Sequence, residues 1–181
     1  MTKSAQGAGY LVRLTLTLFL ITAIVAALLG GVNQLTAERI ETLRAEKTRA
    51  AMAEVLAAEE YLPVETALAK ALYEARSDGT RTGWVAQVAP AGFGGAIDMV
   101  VGIDAEGQVT GVAIVSMTET SGLGDNARKE SFRSQFVGLS GSAALTKDGG
   151  SVDALTGATI TSRAVAAGVT QALAAAAAAG Q

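Results

Sequence analysis

The chain has 181 residues, enough for one ordinary domain plus an appendage, and half of them are hydrophobic. Its net charge of −3 and lack of any basic stripe give no electrostatic case for a nucleic-acid partner. It has no Cys and no His, which excludes disulfides, thiolate metal clusters, haem thioether links and His-based catalysis.

No charged residue occurs from Leu14 to Ala37. The apolar run Leu14 to Val32, LTLTLFLITAIVAALLGGV, has the length of a bilayer-spanning helix, for which roughly 20 residues are needed. A cleaved signal peptide and a buried core helix are the alternatives. The apolar region of a signal peptide is about 7–15 residues long. The run exceeds that, and its one weak cleavage motif, Val25-Ala26-Ala27, lies inside it, so an uncleaved single-pass anchor in the lipid bilayer is expected. Lys3 and Arg13 precede the span, while Arg39, Arg44, Lys47 and Arg49 follow it. Counting Lys and Arg therefore leaves the orientation open.

Thr36 to about Ala58 reads as a helix capped by Thr36 and made of good helix formers. Glu41/Arg44 and Glu46/Arg49 stand at i,i+3 and can pair across one turn. A second short helix is expected over Glu65 to Arg76. The pattern then turns β-like at Gly83 to Ala89, Ala96 to Ile103 and Gln108 to Ser116, with 104–107 as a hairpin turn. Residues 90–95 read as a flexible loop, 118–124 as a polar glycine-bearing loop, 125–136 as a short helix and 147–150 as a turn. A last helix follows Thr159 and runs into an alanine tract, expected to fray. The fold class is α+β: an N-terminal tail and anchor (1–35), a helical stalk (36–78), a small antiparallel-sheet domain (79–173) and an Ala-rich tail (174–181).

The chemistry concentrates at Asp153-Ala154-Leu155-Thr156-Gly157-Ala158-Thr159 and the residues after it. Three hydroxyls, Thr159, Thr161 and Ser162, crowd a helix start. One N-cap needs only one such oxygen. Gly157 and Ala158 keep the approach open, and a helix N-terminus attracts phosphate. Arg163, one turn later, can add charge. The residues alone leave two readings: a simple capped helix, or a seat for a phosphate-bearing ligand.

TGATITS, preceded by Asp153, closely resembles the flavinylation signature of the FMN-binding domain family. That signature runs Asp, two residues, Ser or Thr, Gly, Ala, then Thr or Ser. In addition, TETSGLG at Thr118 to Gly124 looks like the Glu-Thr-Pro-Gly-Leu-Gly loop of the G subunit of the Rnf ion-translocating electron transport complex. Ser121 stands where Pro is usual, and Met117 where a His often precedes the block. Phe93-Gly94-Gly95 resembles the family's glycine-rich entry to its hairpin. With the anchor, the resemblance covers nearly the whole chain.

The resemblance implies a membrane-anchored flavoprotein belonging to a ferredoxin–NAD oxidoreductase that moves Na⁺ or H⁺. FMN would be esterified through its phosphate to Thr159, with Thr161 as the competing acceptor. A flavin transferase of the ApbE type would make the link, taking FMN from FAD. Asp153, Thr156, Gly157 and Ala158 complete the signature. Glu119, Thr120, Gly122, Leu123 and Gly124 would line the cofactor, with a plain solvated loop as their alternative. Trp84 and Phe93 can flank the flavin ring or belong to the core. Arg128 and Lys129 read as a solvated face. The cofactor would relay electrons, so no catalytic residue and no metal ligand is assigned. The family's flavin domain usually lies on the extracytoplasmic side of the cell membrane, among other Rnf subunits. Alternatives are a component like the C subunit of a sodium-pumping quinone reductase, a free-standing extracytoplasmic FMN carrier, and a non-redox anchor.

Overall fold

The computed structural model describes residues 3–180. Two compact units emerge, Met1–Ala45 and Glu46–Gln181. The described part of the first is most of a single long helix, α1 (Lys3–Val55). Its most hydrophobic window has a mean hydropathy of 2.3 and buries none of its residues, so it is long and apolar enough to cross a membrane. Thr36 does not start a new helix. Its hydroxyl donates back to the Val32 carbonyl (2.9 Å), and the helix continues through it, as at Thr17 and Thr22.

The second unit is built on a five-stranded antiparallel meander in sequential order: β1 (Glu60–Val64), β2 (Ala71–Ser77), β3 (Thr80–Val88), β4 (Asp98–Asp104) and β5 (Val109–Ser116). The expected hairpin is β4–β5, closed where the Gly107 N–H reaches the Asp104 carbonyl (3.2 Å). The expected helix over 65–76 is absent, and the stalk helix stops at Val55. Residues 71–77 are instead the strand β2, paired on both sides by β1 and β3. Pairing and burial of Leu72 and Ala75 outweigh the helix propensity of Ala, Leu, Glu and Lys.

Side chains alternate between two cores, as the period-2 geometry of strands requires. Trp84, Ala86, Met99, Val101 and Ile103 face α3 (Thr159–Ala179), together with Phe132 and Phe136. Those two rings meet edge to face at 5.4 Å. They come from the 125–136 segment, which is broken into a 3-10 turn (Gly124–Arg128), the short α2 (Glu130–Arg133) and a second 3-10 turn (Ser134–Phe136) instead of one helix. The alanine tract does not fray: it continues α3, and Ala175 and Ala176 are buried against the sheet's core. Small side chains there let helix and sheet approach closely.

Val85, Val100 and Ala113 point the other way, onto Ala51, Met52 and Val55 at the end of α1. Gly102 and Gly111 are paired across β4 and β5 under Val55. A Cβ on Gly102 would meet the Val55 carbonyl oxygen at 2.5 Å and its carbon at 2.8 Å, and one on Gly111 would meet the Val55 Cα at 3.1 Å. The Thr110 hydroxyl donates to that same carbonyl. The two glycines thus form a trough in which the helix end sits.

Both edges of the sheet are blunted. Edge strand β1 carries Pro63. On β5, the carbonyls of Val112 and Ile114 accept from Arg133 Nη1 (2.7 Å) and Arg128 Nη1 (3.2 Å), and Val109 pairs with the 138–139 segment. Arg133 also binds Glu54 of α1 (2.8 Å).

Gly102→Ala is expected to destabilise the protein by about 1–3 kcal/mol, because backbone at the helix end must move. Gly111→Ala, with the looser contact, should cost less. Unfolding of the full chain carrying either substitution checks the order.

Candidate functional site

Three segments that are distant in sequence meet at the start of α3. The first is the turn at residues 92–95, closed by Gly92 N–H to the Gly95 carbonyl (2.8 Å) and by the Ala91–Ala96 bridge. It is a pinned turn and not the flexible loop expected. The second is the 118–124 loop after β5, and the third is the 153–162 segment.

Glu119 joins all three. Its Oε1 accepts from the Phe93 N–H (2.8 Å) and the Gly94 N–H (3.1 Å). Its Oε2 accepts from the Thr161 hydroxyl (2.8 Å). The Thr118 hydroxyl adds a bond to the Gly94 carbonyl (2.8 Å). Charge-assisted hydrogen bonds of this kind are about twice as strong as neutral ones. Glycines make room for the carboxylate: a Cβ on Gly92 would collide with Oε1, and one on Gly124 would lie 2.6 Å from Oε2 and 2.8 Å from Thr161 Oγ1. Glu119 therefore sits as a brace between loops, with both of its oxygens engaged.

The three crowded hydroxyls separate by role. The helix N-cap is Ala158, and no side chain caps it. Ser162 is buried; its Oγ accepts from the Leu155 N–H (3.0 Å) and donates to the Ala158 carbonyl (2.9 Å), which closes the preceding turn. Thr161 is 1% exposed and committed to Glu119. Thr159, the first residue of α3, is half-buried, and its Oγ1 accepts from Lys147 Nζ at 2.7 Å. Gly157, at φ +74°, makes the left-handed turn that precedes it, and a Cβ there would lie 3.1 Å from Leu123.

The other expected residues fall around this centre. Asp153 and Thr156 are exposed, and Asp153 is held through its backbone N–H by Gln135 Oε1 (2.7 Å). Thr120 is exposed, and its carbonyl accepts from the N–H groups of Leu123 (3.1 Å) and Asp125 (3.2 Å). Gly122 takes a positive φ of 78° in that turn. Phe93, Leu123 and Ile160 are 68%, 44% and 54% exposed, an apolar rim on the three converging segments. Trp84 is elsewhere: it is buried in the core beneath the last turns of α3, with Arg81 over its ring at 5.1 Å. Arg128 and Lys129 are exposed, as expected.

Arg163 does not offer its charge to the helix start. Its Nε and Nη2 bind the two oxygens of Asp148, each at 2.7 Å. The nearby cation is Lys147, which by sequence belongs to a plain turn. An uncapped helix start, a hydroxyl on its first residue, an ammonium touching that hydroxyl and a rim of exposed apolar side chains suit a flavin phosphate with its ring alongside.

Comparison with known proteins points to the same cofactor. Residues 92–174 match the family model of the FMN-binding domain. The G subunit of the Na(+)-translocating ferredoxin:NAD(+) oxidoreductase complex of Acetobacterium woodii is 34% identical, over 87% of each chain. The G subunit of the ion-translocating oxidoreductase complex of Stutzerimonas stutzeri is 35% identical, over 87% of this chain and 77% of that one. The chain belongs to the G-subunit family of ion-translocating oxidoreductase complexes. Among solved structures, the C subunit of the Na(+)-translocating NADH-quinone reductase of Parabacteroides distasonis aligns over 58% of this chain and 59% of its own, at 24% identity and a TM-score of 0.48. As a member of this family with an FMN-binding domain, the protein is an FMN-containing electron-transfer subunit.

In this subunit, Glu119→Ala should cost about 2 kcal/mol by stranding the buried Thr161 hydroxyl and two N–H groups. Glu119→Gln should cost less, because the Thr161 hydroxyl can turn to accept from the amide. Denaturant unfolding of both variants measures the gap.

The Arg163 guanidinium holds the Asp148 carboxyl below the usual carboxylate range. A carboxyl depressed on folding contributes stability above its unfolded pKa, and that contribution is lost as pH falls through the lowered value. The clamp is therefore whole at neutral pH and opens only in acid. An NMR titration should place Asp148 below ordinary aspartates, and Arg163→Gln should move it back up.

Proposed function

We propose that Thr159 carries FMN as a phosphoester, and that the protein relays electrons through it in ion-coupled transfer between ferredoxin and NAD within an Rnf complex. The observation that carries this reading is the placement of Thr159. It is the one hydroxyl of the three left without a structural partner beyond Lys147, on an uncapped helix start behind Gly157. Thr161, the competing acceptor, is buried against Glu119 and would have to leave that bond to react.

FMN supplies one- and two-electron chemistry; the protein's part is to hold and orient it. The first-turn N–H groups of α3 and Lys147 would hold the phosphate on Thr159. Phe93, Leu123 and Ile160 would offer apolar surface to the ring, and Gly122, with open space at its Cβ position, would let backbone come close. Asp153 and Thr156, exposed on the approach to Thr159, are free for recognition by a flavin transferase of the ApbE type. In this reading residues 1–35 anchor the chain by a single membrane span, and the flavin domain stands on the extracytoplasmic side. Likeness to the G-subunit relatives over most of the chain supports the Rnf assignment over a quinone reductase component.

The chain co-expressed with a flavin transferase should give a fluorescent band on a denaturing gel and a mass increased by one FMN. Thr159→Val should abolish both. A wild-type chain of unmodified mass under these conditions would refute the covalent link.

A further inference from the structure

Lys147 lies in a 3-10 turn (Thr146–Asp148), outside every element the sequence signature includes. The turn is fixed from both ends. Leu145 is buried and bridges Val152, the Thr146 N–H donates to the Val152 carbonyl (2.8 Å), and the Gly150 N–H donates to the Leu145 carbonyl (2.9 Å). Gly149 reverses the chain at φ +88°, and a Cβ on Gly150 would collide with Ala144. The other restraint is the two-bond ion pair from Asp148 to Arg163, one turn into α3. Asp148 is the acid next to Lys147 in the chain, and Arg163 takes up both of its oxygens. The ammonium of Lys147 is thereby left to the Thr159 hydroxyl.

An exposed lysine that holds a neutral hydroxyl gains little, since ordering its four-carbon stem costs entropy of similar size. The arrangement gains value if Oγ1 acquires a phosphoryl group. We propose that Lys147 is the electrostatic partner of that group: it stabilises the charge that develops as the phosphoester forms on Thr159 and then pairs with the finished diester. The proposal rests on Thr159 being the acceptor.

With FAD as donor, the Thr159 Oγ–H bond breaks and an Oγ–P bond forms to the FMN phosphorus. The bond from that phosphorus to the bridging oxygen of the diphosphate breaks, and AMP leaves with that oxygen. The hydroxyl proton passes to the transferase or to water. Lys147, as an ammonium, has no lone pair to receive it and acts through charge and hydrogen bonding alone. The product is a phosphodiester bearing one negative charge, its phosphorus one bond from the atom that Nζ already touches. An ammonium and a helix N-terminus converging on one anion follow the general logic of preorganised charge stabilisation.

The test uses the full chain, FAD and a flavin transferase, with attachment followed by intact mass. Lys147→Gln should slow the initial rate by at least about tenfold, and Lys147→Arg should restore most of it. Driven to complete loading, Lys147→Gln should also show a shifted ³¹P resonance of the ester, which a lysine serving only as a transferase contact would not produce. Loading of Lys147→Gln at the wild-type rate, or an unchanged ³¹P signal, overturns the proposal while leaving the Thr159 reading intact. A wild-type chain that takes up no mass, or a Thr159→Val chain that still does, overturns both.

Discussion

The carboxylate of Glu119 is the contact on which the site depends. It takes three hydrogen bonds from two other segments: two from the backbone of the glycine turn at 92–95 and one from Thr161 on α3. Through its two oxygens, the entry loop of the hairpin, the loop that leaves β5 and the start of the last helix share one hydrogen-bonded group. The glycines at 92 and 124 follow from this, since any side chain there would occupy the space the carboxylate needs. Two sequence blocks that look like independent motifs are in this way parts of one braced structure.

A second consequence is the division of labour among neighbouring hydroxyls. Ser162 completes a turn, Thr161 serves the brace, and Thr159 is left at the rim with Lys147. Crowding of Thr and Ser at a helix start would ordinarily mean redundant capping. Here the N-cap is an alanine, and none of the three performs that role. The first turn of α3 consequently keeps its N–H groups unclaimed by side chains.

Much of this is legible in the sequence where the signal is local. Alternation and the Asp104–Gly107 turn locate the β4–β5 hairpin, and the hydroxyl cluster locates the start of α3 at Thr159. Sequence and structure part where long-range contacts decide. Residues 65–76 favour helix by composition, but β1 and β3 on either side impose a strand on 71–77. The tail alanines look like low complexity because nothing local shows that Ala175 and Ala176 pack into the core. Glu119 stands out in the sequence, but as a cofactor contact; that its charge turns inward depends on the backbone of residues 93 and 94. Lys147 gives no signal at all. Its relevance exists only because a turn twelve residues upstream folds back onto the helix start. The Asp148–Arg163 pair that helps hold it there also removes Arg163 from the role its position implies.

The two arginines that bind the carbonyls of β5 bear on how the domain lives among other proteins. A strand edge that shows free carbonyls and N–H groups invites another chain to extend the sheet, and a protein made for a crowded assembly would risk joining the wrong neighbour or its own copies. Arg128 and Arg133 occupy that edge from within, and Arg133 ties the same edge to the last turn of α1 through Glu54. At this edge, a neighbour would have to recognise the domain by the shape and charge of its side chains. Such recognition is selective, whereas backbone pairing accepts almost any sequence.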